Sequence, residues 1–174
     1  MKYLLHDQES ERLVFRAVQE SDFPAWLAFH QDPRTSEHWI SQKESPEREC
    51  EKWYEKQRYR YENNLGGMNA LVAKEHGRLV GYCGLLVQMV DENIELEIAY
   101  SLLPEFWNKG YALEAAKHCK DFAFWHNLAP SLISIISLSN VPSANVARKI
   151  GMEIEKTTTY NDNTVHIFRI RNTS

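Results

Sequence analysis

Little in this 174-residue chain marks a specialised class. Its three cysteines, Cys50, Cys83 and Cys119, are odd in number and nowhere form C-x-x-C. They argue against a disulfide framework or a zinc site and read as buried thiols in a reducing compartment. The chain has no long basic run, and its net charge of −4 argues against general nucleic-acid binding. No apolar run approaches the length of a membrane span, and the opening Met1-Lys2-Tyr3-Leu4-Leu5-His6 is too short for a secretory core, so a cytoplasmic protein without a membrane segment is expected. Two familiar phosphate loops, G-x-x-x-x-G-K-[ST] and G-x-G-x-x-G, are missing as well. There are no internal repeats, low-complexity stretches or linkers, and 43% hydrophobic content is enough to fill one core, so residues 1–174 are read as a single domain.

The informative stretch runs from Glu97 to His126. Glu97-Ile98-Ala99-Tyr100-Ser101-Leu102-Leu103 reads as a strand, Pro104 turns the chain, and Ala112, Ala115, Ala116, Cys119, Phe122 and Ala123 fall at helical spacing. The helix therefore starts at Asn108-Lys109-Gly110. The N–H groups of Gly110, Tyr111 and Ala112 lack partners inside it and sit at the positive end of its dipole, which suits an anion such as a phosphate. Gly110 admits that anion to the backbone and Lys109 adds a mobile positive charge. The turn by itself reads first as a plain helix cap, since many helices begin with Asn or Gly and bind nothing.

The remaining elements follow from pattern. A strand is predicted over 11–18, an amphipathic helix from Ser21 or Asp22 to about Asp32-Pro33, and a second helix that opens at Ser45-Pro46 and ends before the loop Asn64-Leu65-Gly66-Gly67. Strands over 68–74, 79–90 and 94–103 form an antiparallel meander. After Ala129-Pro130 come a buried strand over 132–136, a helix from Pro142 to Gly151, and a hairpin of 154–160 and 164–171 around Asn161-Asp162-Asn163. Alternating side chains place Glu95 and Glu97 on one face of their strand, where both could simply meet solvent.

Tyr100, Trp107, Asn108-Lys109-Gly110-Tyr111-Ala112 and Glu114-Ala115, followed by Asn140-Val141-Pro142-Ser143-Ala144-Asn145-Val146-Ala147-Arg148-Lys149-Ile150-Gly151-Met152, resemble the two ordered motifs of the GNAT N-acetyltransferases, in particular the branch of the bacterial ribosomal-protein N-terminal acetyltransferases. Trp107 stands where much of the superfamily has Gln or Arg, Ala112 where Gly is common, and Met152 where Phe is usual.

The resemblance implies an α/β fold with a mixed, mostly antiparallel sheet of about seven strands, helices on both faces, and acetyl-CoA as acetyl donor. It implies direct transfer to a primary amine, either a protein N-terminus or a small molecule, by a monomer or homodimer. Cofactor contacts are implied at Ser101, Leu102 and Leu103 along the strand, at Asn108, Lys109, Gly110, Tyr111 and Ala112 in the cradle, and at Asn140 and Asn145 on the later helix. Glu97 is implied as the base, with Glu95 a second carboxylate able to raise its pKa. Ser143 is implied as the hydrogen-bond partner of the leaving sulfur. Asn140 and Ser143 also read as ordinary first-turn residues, and Glu114 as an acid favoured by the helix dipole. His38, Trp39 and Tyr160 are implied near the acceptor mouth, though each reads first as a packing aromatic. Many family members carry a Tyr where this chain has Ala147, which leaves the thiolate's proton donor unassigned and keeps a non-catalytic acyl-CoA-binding module as an alternative.

Overall fold

The computed structural model describes residues 1–41 and 43–173. Its frame is one seven-stranded sheet: β1 (Leu13–Ala17), β2 (Gly66–Ala73), β3 (Leu79–Val90), β4 (Asn93–Leu102), β5 (Ser131–Ser137), β6 (Glu153–Tyr160) and β7 (Asn163–Arg171). The spatial order is β1-β2-β3-β4-β5-β7-β6, antiparallel everywhere except between β4 and β5. Four helices complete it: α1 (Phe23–Gln31), α2 (Pro46–Glu62), α3 (Tyr111–Trp125) and α4 (Val141–Lys149).

Two adjacent residues of β3 show how the helices divide between the faces. Tyr82 meets Trp26 of α1 edge-on at 4.6 Å and shares a 2.8 Å hydrogen bond with the Tyr54 hydroxyl of α2. Its neighbour Cys83 points the other way, with its sulfur 3.5 Å from that of Cys119 in α3. Tyr100 lies opposite Cys83 in the β3–β4 ladder and donates to the Ser143 carbonyl of α4 at 2.7 Å. Helices α1 and α2 therefore cover one face, and α3 and α4 the other. Trp26, Tyr82, Phe15 and Phe168 are fully buried, each worth roughly 2–3 kcal/mol of apolar burial. All three cysteines are buried, as expected.

Local chemistry explains most boundaries. The Ser45 hydroxyl accepts from the Arg48 N–H at 3.2 Å and Pro46 opens α2, as the sequence predicts. The β3–β4 turn places Asp91 and Glu92 in the left-handed region, and the β6–β7 turn does the same with Asn161 and Asp162. Asn163, expected in that second turn, instead begins β7 and uses its side chain to accept from the Ile40 N–H at 2.7 Å.

The largest difference from expectation lies at Gly66-Gly67, predicted as a loop and found inside β2. A Cβ at Gly66 would stand 1.9 Å from the Leu85 carbonyl oxygen, so these glycines permit strand contact instead of ending a helix.

Candidate active site

β4 and β5 pair at one position, Glu97 opposite Ile133. Past it, β4 runs on to Leu102 and β5 to Ser137 with no further ladder pair among the described residues. Side chains fill the parting. The Ser134 hydroxyl donates to the Ile98 carbonyl at 2.8 Å, and the Ile135 N–H donates to Glu97 Oε2 at 3.3 Å.

Glu97 is only 7% exposed, which overturns the solvated-face alternative. Its ladder partner Leu86 shares a face with Tyr82, so the carboxylate points toward α2. Gln88 Nε2 donates to Glu97 Oε1 at 2.9 Å. Burial raises the Glu97 pKa above the ordinary carboxylate value, opposed by the Gln88 and Ile135 hydrogen bonds and by the charges of Arg60 and Lys56. Glu95 does not supply that shift. It is held by Arg169 in a bidentate pair at 2.6 and 2.9 Å, correcting the expectation of two carboxylates sharing the task.

The helix start lies beyond the C-terminal end of β4. Asn108 and Gly110 both adopt left-handed backbone, with φ of 61° and 81°. Gly110 is the N-cap of α3 and no side chain caps it, so the first N–H groups are free to meet an outside acceptor. Trp107 anchors the turn by donating Nε1 to the Leu102 carbonyl at 2.9 Å. Tyr111 is buried, and its ring carries the Arg12 guanidinium at 4.4 Å.

Arg12 is a residue that sequence reasoning missed. Its Nη1 donates to the Lys109 carbonyl at 2.8 Å and its Nε to Glu114 at 2.7 Å, while Glu114 Oε2 accepts from the Arg12 N–H at 2.8 Å. Glu114 is therefore a tether between the N-terminal segment and α3, beyond any dipole effect. Beside this turn lies a cleft of about 430 Å³ whose lining includes Arg12, His76, Arg78, Phe106, Lys109 and Tyr111.

Of the remaining expected cofactor residues, Ser101 and Leu102 border the unpaired stretch of β4. Leu103 requires a correction. Its N–H donates to Val80 and its carbonyl accepts from Phe106, so its backbone is already engaged. Asn140 caps α4 by accepting from the Ser143 N–H at 3.2 Å, which is the capping reading. Asn145 and Lys109 are exposed, and Ala112 and Ser143 are half-buried. The Ser143 hydroxyl has no hydrogen-bond partner among the described residues. Ala147 is fully buried in the core. His38 pairs with the Ser139 hydroxyl at 2.8 Å, and Trp39 and Tyr160 pack against the apolar cluster of Val90, Ile133, Ile135, Val165 and Ile167.

A chain with this parted pair of strands and an uncapped helix start matches the family model of the acetyltransferase (GNAT) domain over residues 12–153. The protein is a GNAT acetyltransferase. This GNAT chain is 28% identical over 155 residues to the uncharacterized protein YkkB of Bacillus subtilis (strain 168), covering 88% of this chain and 81% of YkkB. Its fold is similar to that of an acetyltransferase from Agrobacterium tumefaciens str. C58, with TM-score 0.78 and 24% identity over 94% of this chain and 93% of that one. It is also similar to RimL, a ribosomal L7/L12 α-N-protein acetyltransferase solved in complex with coenzyme A, with TM-score 0.73 and 16% identity over 95% and 97% of the two chains. As a GNAT N-acetyltransferase it uses acetyl-CoA. The uncapped turn at Gly110, where a Cβ would stand 3.2 Å from Arg12 Nη2, fits the phosphates of that cofactor.

Proposed function

We propose that this enzyme acetylates the α-amine of a peptide or protein chain by direct attack, with Glu97 as the base. The observation that carries the reading is the buried Glu97 carboxylate at the point where β4 and β5 part. An N-terminal amine, with an ordinary pKa near 8, is mostly protonated at neutral pH and needs a base to become a nucleophile. Burial brings Glu97 closer to such a task than an exposed glutamate would be.

Acetyl-CoA, when bound, supplies an acyl group activated as a thioester. Glu97 takes one proton from the ammonium and frees its lone pair; the C–N bond then forms, the C–S bond breaks, and the second N–H proton leaves with the sulfur, so that CoA departs as the thiol. The N–H groups at Gly110, Tyr111 and Ala112, with Lys109, hold the phosphates, and Asn108 shapes the turn through its left-handed backbone. The Leu102 carbonyl is taken by Trp107, so a backbone N–H near Ser101 and Leu102 is what is assigned to the acyl-pantetheine arm, where one oxyanion donor is typically worth about 3 kcal/mol of barrier. The unpartnered Ser143 hydroxyl is assigned to the departing sulfur. The Asn140 amide NH₂, left over from capping, and Asn145 are assigned to the cofactor along α4.

The positive charges of Lys56 and Arg60 act on Glu97 from α2 and disfavour a polycationic acceptor, which supports a peptide over a polyamine. The test is acetyl-CoA turnover, read as thiol release and product mass, with N-terminal peptides beside spermidine and free amino acids. Acetylation of a peptide α-amine supports the reading; turnover with spermidine alone overturns the acceptor assignment.

A further inference from the structure

Glu97 does not hold its orientation alone. On α2, Arg60 is 6% exposed and donates Nη1 to the carbonyls of Leu65 and Val87 at 3.1 and 3.0 Å. Its Nη2 donates to Gln88 Oε1 at 3.0 Å, and the Tyr160 hydroxyl of β6 donates to the same oxygen at 3.1 Å. An amide has one acceptor atom and one donor group. Two donors converging on Oε1 fix Gln88 with Nε2 toward Glu97, where it donates at 2.9 Å.

In the β3–β4 ladder Gln88 stands opposite Glu95, so it reaches Glu97 diagonally instead of across a direct pair. A glutamine that only filled space there would need no such alignment.

We propose that Gln88 is the positioning residue of the catalytic base, aligned by Arg60 and Tyr160 so that its amide holds the Glu97 carboxylate in place and in its ionised form. The inference rests on the reading of Glu97 as base. Other groups act on Glu97: Lys56 and Arg60 from α2, Tyr160 from β6 and the Ile135 N–H from β5 on its own side, and Tyr100 electrostatically from the other face of its strand. The neighbouring Glu95 is neutralised by Arg169 of β7. Arg60 and Lys56 remain in a Gln88 variant, so the effect of the amide can be read against a constant charge background.

Removing the amide deletes a hydrogen bond that is stronger to the ionised form than to the neutral one, so Glu97 becomes harder to deprotonate. The acid limb of kcat/KM then moves to higher pH. A hydrogen bond to a charged group corresponds to about a tenfold change in rate on that limb. The loss must shrink at the alkaline plateau, where Glu97 is ionised in both proteins.

The experiment is a pH profile of kcat/KM for wild type, Glu97→Gln, Gln88→Met, Gln88→Glu and Tyr160→Phe, with acetyl-CoA affinity and thermal midpoint measured beside it. Gln88→Met should move the acid limb upward with acetyl-CoA affinity unchanged. Gln88→Glu should move it further, because a second carboxylate beside Glu97 disfavours ionising both. Tyr160→Phe leaves Arg60 in place and should give a smaller displacement, and it keeps the test open if Gln88→Met fails to fold. If Glu97→Gln retains the wild-type limb, the base reading itself is wrong. If Glu97→Gln abolishes the limb while folded Gln88 and Tyr160 variants lose rate equally at every pH or not at all, Gln88 is a packing residue and this inference is overturned.

Discussion

The Ile135 N–H donates to Glu97 Oε2 at 3.3 Å, a side chain standing where a β-ladder carbonyl would be expected. Glu97 thus satisfies a backbone donor exposed by the parting of β4 and β5, at the same position where its other oxygen is held by Gln88. A group in both places links strand geometry to base strength.

Glu97→Gln should lower kcat/KM at neutral pH about a hundredfold, the usual scale of a positioned base, with acetyl-CoA affinity retained. Stability should respond with the opposite sense. Because burial raises the folded-state pKa, the protonated form favours folding; that contribution is complete below the unfolded pKa and is lost as pH rises through the folded one. The thermal midpoint of Glu97→Gln relative to wild type should therefore improve from acid to neutral pH. Parallel midpoint curves would mean that Glu97 titrates normally.

Gly110→Asp should weaken acetyl-CoA and CoA alike, because it puts a like charge in the phosphate cradle and a Cβ where φ is 81°. The backbone strain alone costs about 1–2 kcal/mol of stability. Thermal midpoints with and without ligand separate the two effects: wild type gains about 2.7 kcal/mol at a hundred times Kd, and the variant should gain far less at the same concentration. An equal ligand shift would move the cofactor site elsewhere.

Arg12→Ala removes the tether between the β1 segment and the phosphate turn. Its side chain is 43% exposed, so the ion pair with Glu114 contributes at most about 1 kcal/mol after solvent screening. Burial pushes the Glu114 pKa up, but hydrogen bonds from Ser10 and Arg12 outweigh it and hold the group below its ordinary value. Its stabilisation is present above the unfolded pKa and fades as pH falls through the folded one. Denaturant titrations should therefore show the largest Arg12→Ala penalty at neutral pH and a smaller one near pH 3. A pH-independent penalty would assign the loss to packing on Tyr111.

Ser143→Ala should leave the thermal midpoint almost unchanged, because the hydroxyl has no partner among the described residues and the carbonyl that receives Tyr100 remains. Turnover should fall several-fold, on the scale of one neutral hydrogen bond of about 1 kcal/mol. Full turnover would reduce Ser143 to a helix residue. Tyr100→Phe should do the reverse to stability, costing about 1 kcal/mol through the lost hydrogen bond to the Ser143 carbonyl.

Residue order alone already carried the elements and the phosphate turn. Periodicity, Ser45-Pro46, Asn140 with Pro142, and the Asn-Lys-Gly turn are local signals, because caps and alternation depend on neighbours only a few residues apart. Asn161-Asp162 likewise announced its hairpin, since Asn and Asp tolerate left-handed backbone. The motif resemblance then joined that turn to Glu97 and Ser143.

Chain folding settled what those residues face. Arg12 lies 102 positions from Glu114, and Gln88, Arg60 and Tyr160 converge from β3, α2 and β6. No spacing along the chain encodes these meetings. Gly66-Gly67 looked like a loop until the Leu85 carbonyl stood against it, and Glu97 looked solvated until α2 covered its face. Local sequence sets backbone preference, while long-range contact decides what each carboxylate meets: Glu95 meets the Arg169 guanidinium, and Glu97, two residues on, meets the Gln88 amide and the Ile135 N–H.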